Sequence, residues 1–212
     1  HHRIKNNMAT VASLLSIQSS STDNQDISAA LANAAGRIGT MMVLYDQLYH
    51  SDITGSMPMS AYLQPLLGSI RATVPDRDDI RVISDIDSVD VPAGVLAHLG
   101  IMVNELVANA YKHAFPASLA AGGQDAAAER QQPEISISAR VTGGTLVLTV
   151  RDNGAGAPDG RGAGQDVAVH EAPAGGLGLL LVNALAVQNG GTVTIATGGG
   201  TTVTITMPFP GV

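Results

Sequence analysis

Residues 104 to 115, Asn-Glu-Leu-Val-Ala-Asn-Ala-Tyr-Lys-His-Ala-Phe, constrain this chain more than any other stretch. At about 100° per residue, Asn104, Glu105, Asn109 and Lys112 fall within a sector of roughly 140°, and Leu99, Met102, Leu106, Ala110 and Ala114 lie opposite. One helix therefore turns an apolar side to a core and gathers a carboxylate, two amides and an ammonium on the other. Taken alone, such a segment is most often a helix that simply shows its polar face to solvent.

Two glycine-bearing segments downstream lower that prior. Asp152-Asn153-Gly154-Ala155-Gly156 follows a strand-like run, and Gly175-Gly176-Leu177-Gly178-Leu179 precedes a helix-like one. The three segments, in this order and spacing, resemble the N box and the two glycine boxes of the ATP-binding fold shared by type II topoisomerase ATPases, Hsp90 chaperones, sensor histidine kinases and MutL, the GHKL superfamily. A single Asp-Asn-Gly would be an ordinary turn. Three boxes in sequence are far more specific.

The N-terminal fifty residues read as two helices, about 1 to 20 and 24 to 49. Ile4, Met8, Val11, Leu15 and Gln18 mark the first, and Ile27, Leu31, Ala34, Ile38, Met41, Leu44, Tyr45 and Leu48 the second. The Ser-Ser-Ser-Thr-Asp run at 19 to 23 separates them, because short hydroxyl and carboxylate side chains compete for helical hydrogen bonds. A helical hairpin leaves half of its apolar stripe wet, so pairing with a second copy into a four-helix bundle is expected, with packing against the rest of this chain as the plain alternative.

The opening His1-His2-Arg3-Ile4-Lys5-Asn6-Asn7 resembles the phosphoacceptor motif of sensor histidine kinases of the HWE type and its close relatives, in which a His-Arg pair precedes Lys-Asn. Without the family, a His pair at a chain start is more often a tag remnant or a solvated face. Of the two histidines His2 is the candidate acceptor, since Asn6 lies one helical turn on, along the same face. A neutral imidazole has a free nitrogen lone pair near pH 7 and can attack phosphorus without a strong base. Many histidine kinases carry an acid directly after the histidine, and this chain has Arg3, which leaves the proton acceptor open.

The expected fold class is α+β: a helical hairpin over 1 to 55, then a two-layer α/β sandwich of the GHKL type with a mixed sheet over 56 to 212. A helix is expected from about 59 to 73, and strands over 80–86, 134–141, 145–151, 192–197 and 202–207, most of them alternating in polarity. The Ala-, Gly- and Gln-rich stretch 116–133 reads as a surface loop, and 155–175 as the place where the family carries its ATP lid.

The resemblance implies roles for single residues. Asn109 coordinates the Mg²⁺ that bridges the phosphates, with Lys112 and His113 on the phosphate side. Asp152 accepts a hydrogen bond from the adenine amino group, and Gly154 and Gly156 let the backbone approach the base. Gly176 and Gly178 open a helix, 179 to 188, whose N-terminal N–H groups suit phosphates, and Thr201 is a weaker candidate for the adenine pocket. Glu105 stands where hydrolytic members carry a water-activating carboxylate, and is open as base, metal ligand or structural anchor. Turn glycines and a strand threonine are the plain alternatives. His50, His98 and His170 have no partner visible by spacing and are left to surface or core.

Composition narrows the rest. A net charge of −7 with eleven scattered Lys and Arg argues against nucleic acid as a partner. No apolar run of about twenty residues and no signal peptide stand out, and without cysteine there is neither a disulfide nor a thiolate metal site, which fits a cytoplasmic setting. An opening without Met, inside a helix, reads as the start of a fragment whose sensor region lies upstream. Three functions are weighed: a histidine kinase transmitter that passes phosphoryl groups to a response-regulator receiver domain, a GHKL ATPase with Glu105 as base, and a non-catalytic adaptor. Intact Asn109, Asp152, Gly154 and Gly178 speak against the third, and His2 with Asn6 against the second.

Overall fold

The computed structural model describes residues 2–50, 55–72, 77–115, 132–156, 167–168 and 177–209. It separates into two compact units, His1–Gly55 and Ser56–Val212.

The first unit is a hairpin of α1 (His2–Ser21) and α2 (Gln25–His50). The serine run ends α1 by the expected competition: the hydroxyls of Ser20 and Ser21 donate back to Ile17 O at 2.9 and 2.7 Å. Asn24 then opens α2, its Oδ1 accepting the Ile27 N–H at 3.2 Å as an N-cap. Across the hairpin, the Ser19 hydroxyl donates to Ser28 O at 2.9 Å and the Ser28 hydroxyl to Ser19 O at 2.8 Å. The half-buried face of α1 runs Met8, Ala12, Leu15, Ser19. Val11, expected on that face, instead lies outside with Leu14 and Ile17, which are 57% and 61% exposed. Apolar residues in α1 exceed one stripe, so spacing alone admits either neighbour as the inner one.

The second unit is a six-stranded mixed sheet, ordered β2-β4-β5-β8-β7-β6. Its strands are β2 (Arg81–Ile86), β4 (Glu134–Thr142), β5 (Thr145–Asp152), β6 (Val167–Ala168), β7 (Thr192–Thr197) and β8 (Thr201–Pro208). Only β2 and β4 pair in parallel; the other neighbours are antiparallel. Alternation sets the sides: Ile135, Ile137 and Ala139 of β4, Leu146, Leu148 and Val150 of β5, and Val203, Ile205 and Met207 of β8 are buried, with Ser136, Ser138, Val147, Thr149, Thr204 and Thr206 between them.

That apolar face is covered by α3 (Met59–Ala72), α4 (Ala93–Asn109) and α5 (Leu177–Gln188), giving the expected two layers. Two short strands not expected from sequence, β1 (Ser56–Pro58) and β3 (Asp90–Pro92), pair antiparallel and tie the start of α3 to the start of α4. Residues 93–114, α4 with the turn that follows it, are long and apolar enough to cross a membrane, contrary to the expectation of no such run. Yet 61% of the relevant window is buried inside the protein, as suits a core helix. Leu96, Leu99, Met102 and Val103 fill the middle of that core.

Candidate nucleotide-binding site

The site begins where α4 changes its winding. After Asn109 the chain makes one π-helical turn, Ala110–Ala114, a form that recurs at functional sites. Two contacts from elsewhere in the chain brace it. Arg77 Nη1 reaches the Tyr111 carbonyl at 3.4 Å, and the Ala155 N–H donates to the Ala114 carbonyl at 2.9 Å. The turn leaves Lys112 and His113 exposed and Ala110, Tyr111 and Ala114 buried.

Residues expected on one polar face of α4 thus separate by depth. Glu105 is only 4% exposed and already engaged within the protein, Asn104 and Asn109 are half-buried, and Lys112 is in solvent. The helix does not wet a continuous polar stripe. Glu105 sits in the interior, where a carboxylate must be held by partners.

The second piece is Asp152, the last residue of β5, 7% exposed. Its Oδ1 accepts two backbone N–H groups, from Gly154 at 3.0 Å and from Thr201 at 3.1 Å. Among the described residues nothing donates to Oδ2. One carboxylate oxygen is therefore fixed by backbone, and the other carries no donor from the described residues. Thr201 enters through its backbone N–H and not through its hydroxyl.

Glycine makes this closeness possible. A Cβ on Gly154 would stand 2.2 Å from the Ala114 carbonyl oxygen, and one on Gly200 only 1.9 Å from the Asp152 carbonyl oxygen. Gly200 also adopts φ +119°, a region L side chains rarely enter. Gly154, Ala155 and Gly156 face Thr197 to Gly200 across a small open depression beside Asp152.

Asn153, read from sequence as part of a turn, proves to be a strut. Its Oδ1 accepts the Glu134 N–H at 2.7 Å, and its Nδ2 donates to Gln132 O at 2.8 Å. Sequence reasoning also missed Gly200 as a contact of Asp152, although the run Gly198-Gly199-Gly200 ahead of Thr201 was its visible signal.

Of the residues expected on the phosphate side, Gly178 is buried in the first turn of α5, which begins at Leu177, two residues earlier than expected. Gly176 and most of the expected lid lie outside the described residues, as do the side chains of His2 and of residues 3–5. The backbone of His2 opens α1, and Asn6 is exposed one turn on. No group of three or more His, Cys, Asp or Glu able to hold a metal occurs among the described residues. A cation here would need amide and ligand oxygens beside fewer than three such side chains.

Comparison with known proteins bears on the family and the fold. Residues 1–74 match the family described as histidine kinase, and residues 94–211 match the histidine kinase-, DNA gyrase B- and HSP90-like ATPases. The chain is 29% identical over 216 residues to blue-light-activated histidine kinase 2 of Erythrobacter litoralis, covering 98% of this chain and 55% of that protein. It is 30% identical over 173 residues to the sensor histidine kinase PdtaS of Mycobacterium tuberculosis, covering 76% of this chain and 30% of that one. A solved blue-light activated histidine kinase of Erythrobacter litoralis superposes with a TM-score of 0.67 at 27% identity, over 98% of this chain and 57% of that one. The chain thus spans about half the length of the Erythrobacter relative and less of the mycobacterial one. With the ATPase match running over more than half of its residues, the chain belongs to the histidine kinase-, DNA gyrase B- and HSP90-like ATPase family, in the arrangement of a sensor histidine kinase transmitter region.

Proposed function

We propose that residues 56 to 212 bind Mg-ATP, and that the γ-phosphoryl group passes to His2 and from there to an aspartate of a response-regulator receiver domain. The observation that carries this reading is Asp152: a buried carboxylate with one oxygen held by two backbone N–H groups and the other without a donor among the described residues. The adenine amino group is a donor of the right kind, and a carboxylate pinned in this way cannot turn away from it. The close backbone at Gly154 and Gly200, with Gly156 beside them, keeps side chains out of the plane a base would need.

Asn109, Lys112, His113, Gly176 and Gly178 form the phosphate side in this reading. Asn109 supplies an amide oxygen for Mg²⁺, with Glu105 as a second oxygen donor. When bound, the ion neutralises charge on the phosphates. The His2 imidazole forms a new N–P bond as the bond from the γ-phosphorus to ADP breaks, and its proton leaves to a base. Asn6, one turn along α1, orients the ring or the transferred group. The exposed Val11, Leu14, Ile17 and Ile27 favour a second copy of the hairpin as the partner that covers them.

The test is incubation with γ-labelled ATP. The label should be acid-labile and alkali-stable, and His2→Ala should abolish it with ATP affinity unchanged; labelled His2→Ala would count against His2. The buried Glu105 favours a second reading, an ATPase with Glu105 as general base. Phosphate release by His2→Ala that falls by about 10²- to 10⁴-fold in a further Glu105→Gln change would support that reading instead.

A further inference from the structure

One polar link between helices of the second unit lies outside the site described above. Asn189, the first residue after α5, sets its amide against His98 Nδ1 on α4, with Nδ2 at 2.9 Å and Oδ1 at 3.3 Å, and donates from Nδ2 to Leu185 O at 2.6 Å. Its backbone N–H also turns back to Leu185 O and Ala186 O, at 3.2 and 3.0 Å. The contact with Leu185 fixes which way the amide faces. A flipped amide would set Oδ1 against the Leu185 carbonyl, two acceptors in contact, so the nitrogen must stay there, and His98 Nδ1 either accepts from Nδ2 or, carrying the ring proton, donates to Oδ1. The C-terminal end of α5 is thereby fastened to one side chain of α4.

His98 shares a stripe of α4 with the residues of the phosphate side. Glu105 and Asn109 follow it by seven and eleven positions, which at about 100° per residue return within about 20° of its direction. The distances along the helices match as well. His98 to Asn109 and Gly178 to Asn189 are both eleven residues, about 16 Å at 1.5 Å per residue. Between those ends α5 packs against α4, with Val182, Leu185 and Ala186 buried.

We propose that His98 and Asn189 are positioning residues for the phosphates of the nucleotide: their bond holds α5 in register along α4, so that the start of α5 at Gly178 stands level with Asn109. This rests on reading Asn109 and Gly178 as the phosphate side. A helix N-terminus attracts phosphate through a few N–H groups and a dipole whose effect fades within one turn, so slippage of α5 weakens phosphate binding. Asp152, on the sheet, is untouched by it.

The test compares binding of adenosine with that of a non-hydrolysable ATP analogue plus Mg²⁺, on the full chain. Wild type should prefer the analogue; no preference would overturn the phosphate-side reading and this inference with it. His98→Leu, which removes the ring nitrogen, should weaken the analogue about tenfold and adenosine less than twofold. His98→Gln, whose amide can again pair with that of Asn189, should return the analogue to within about twofold of wild type. Asn189→Ser, too short to reach His98, repeats the test from the other side should His98→Leu not fold. Unchanged analogue affinity, or an equal loss of both ligands with a lowered melting temperature, would overturn the inference, since either marks a bond that only stabilises the fold.

Discussion

Replacing Gly200 by Ala tests whether the Asp152 site is built by close backbone approach. The added methyl would stand 1.9 Å from the Asp152 carbonyl oxygen, 2.8 Å from its carbon and 2.9 Å from Asn153 Cα, all backbone atoms with no flexible end to swing aside. At φ +119° the new side chain adds strain of about 1–2 kcal/mol. Overpacking adds about 1–3 kcal/mol. A shift that relieves the clash also pulls the Thr201 N–H from Asp152 Oδ1, and a bond to a charged group is worth about 1.5–3 kcal/mol. One displacement relieves part of each term, so the net loss should be about 3–5 kcal/mol, or a drop in melting temperature of about 6–20 °C for a unit of this size. Gly198, two residues away, has open space within 4 Å of the point where a methyl would stand and no left-handed φ, so Gly198→Ala should stay within about 0.5 kcal/mol of wild type. Calorimetry on both, with ATP titration of each folded variant, is the assay. Equal melting temperatures for the two would refute the close-packed account of the loop.

Further outcomes follow from other residues. Asp152→Asn can keep its oxygen on the Gly154 and Thr201 N–H groups only by turning its NH₂ toward the base, so by titration it should bind ATP more than about tenfold weaker with little change in melting. Tyr62 packs its hydroxyl, unpartnered among the described residues, into the notch at Gly100, and burial pushes its phenol pKa up. By denaturant titration Tyr62→Phe should be neutral or stabilising by up to about 1 kcal/mol, and Gly100→Ala should cost about 1–3 kcal/mol. Asp87 is held below the ordinary carboxyl range, first by the Val141 N–H and then by Arg140. Its contribution is present above the unfolded value near pH 4 and lost as pH falls through the lower folded value, so the melting gap to Asp87→Asn should close in that window. A charge on the outer face of α1, Leu14→Glu, should shift the mass measured by light scattering from dimer toward monomer, and a monomeric wild type at high micromolar concentration would refute pairing through this stripe.

How far the sequence reached can be traced residue by residue. The five longer strands were legible to within one residue at each end because apolar and polar residues alternate along most of them, and a covered sheet face demands that alternation. The strands β1, β3 and β6 have two or three residues each and no period to read; they exist because a distant partner supplies the pairing. For the same reason the π turn was invisible. Nothing in Ala-Tyr-Lys-His-Ala distinguishes it from an α-helix, and the groups that brace it, Arg77 and Ala155, lie more than thirty residues before and after. His98 found Asn189 only in three dimensions, 91 positions away. Residue types chosen to meet a ligand stand out in a motif because their chemistry is unusual for their place, as with an Asp at a strand end flanked by glycines. The residues that hold those groups still carry no such mark: Asn153 looks like any turn residue and Gly200 like any hairpin glycine until the strand ends come together. Only then does an amide become a strut and a missing Cβ become the condition for the Thr201 N–H to reach Asp152 at 3.1 Å.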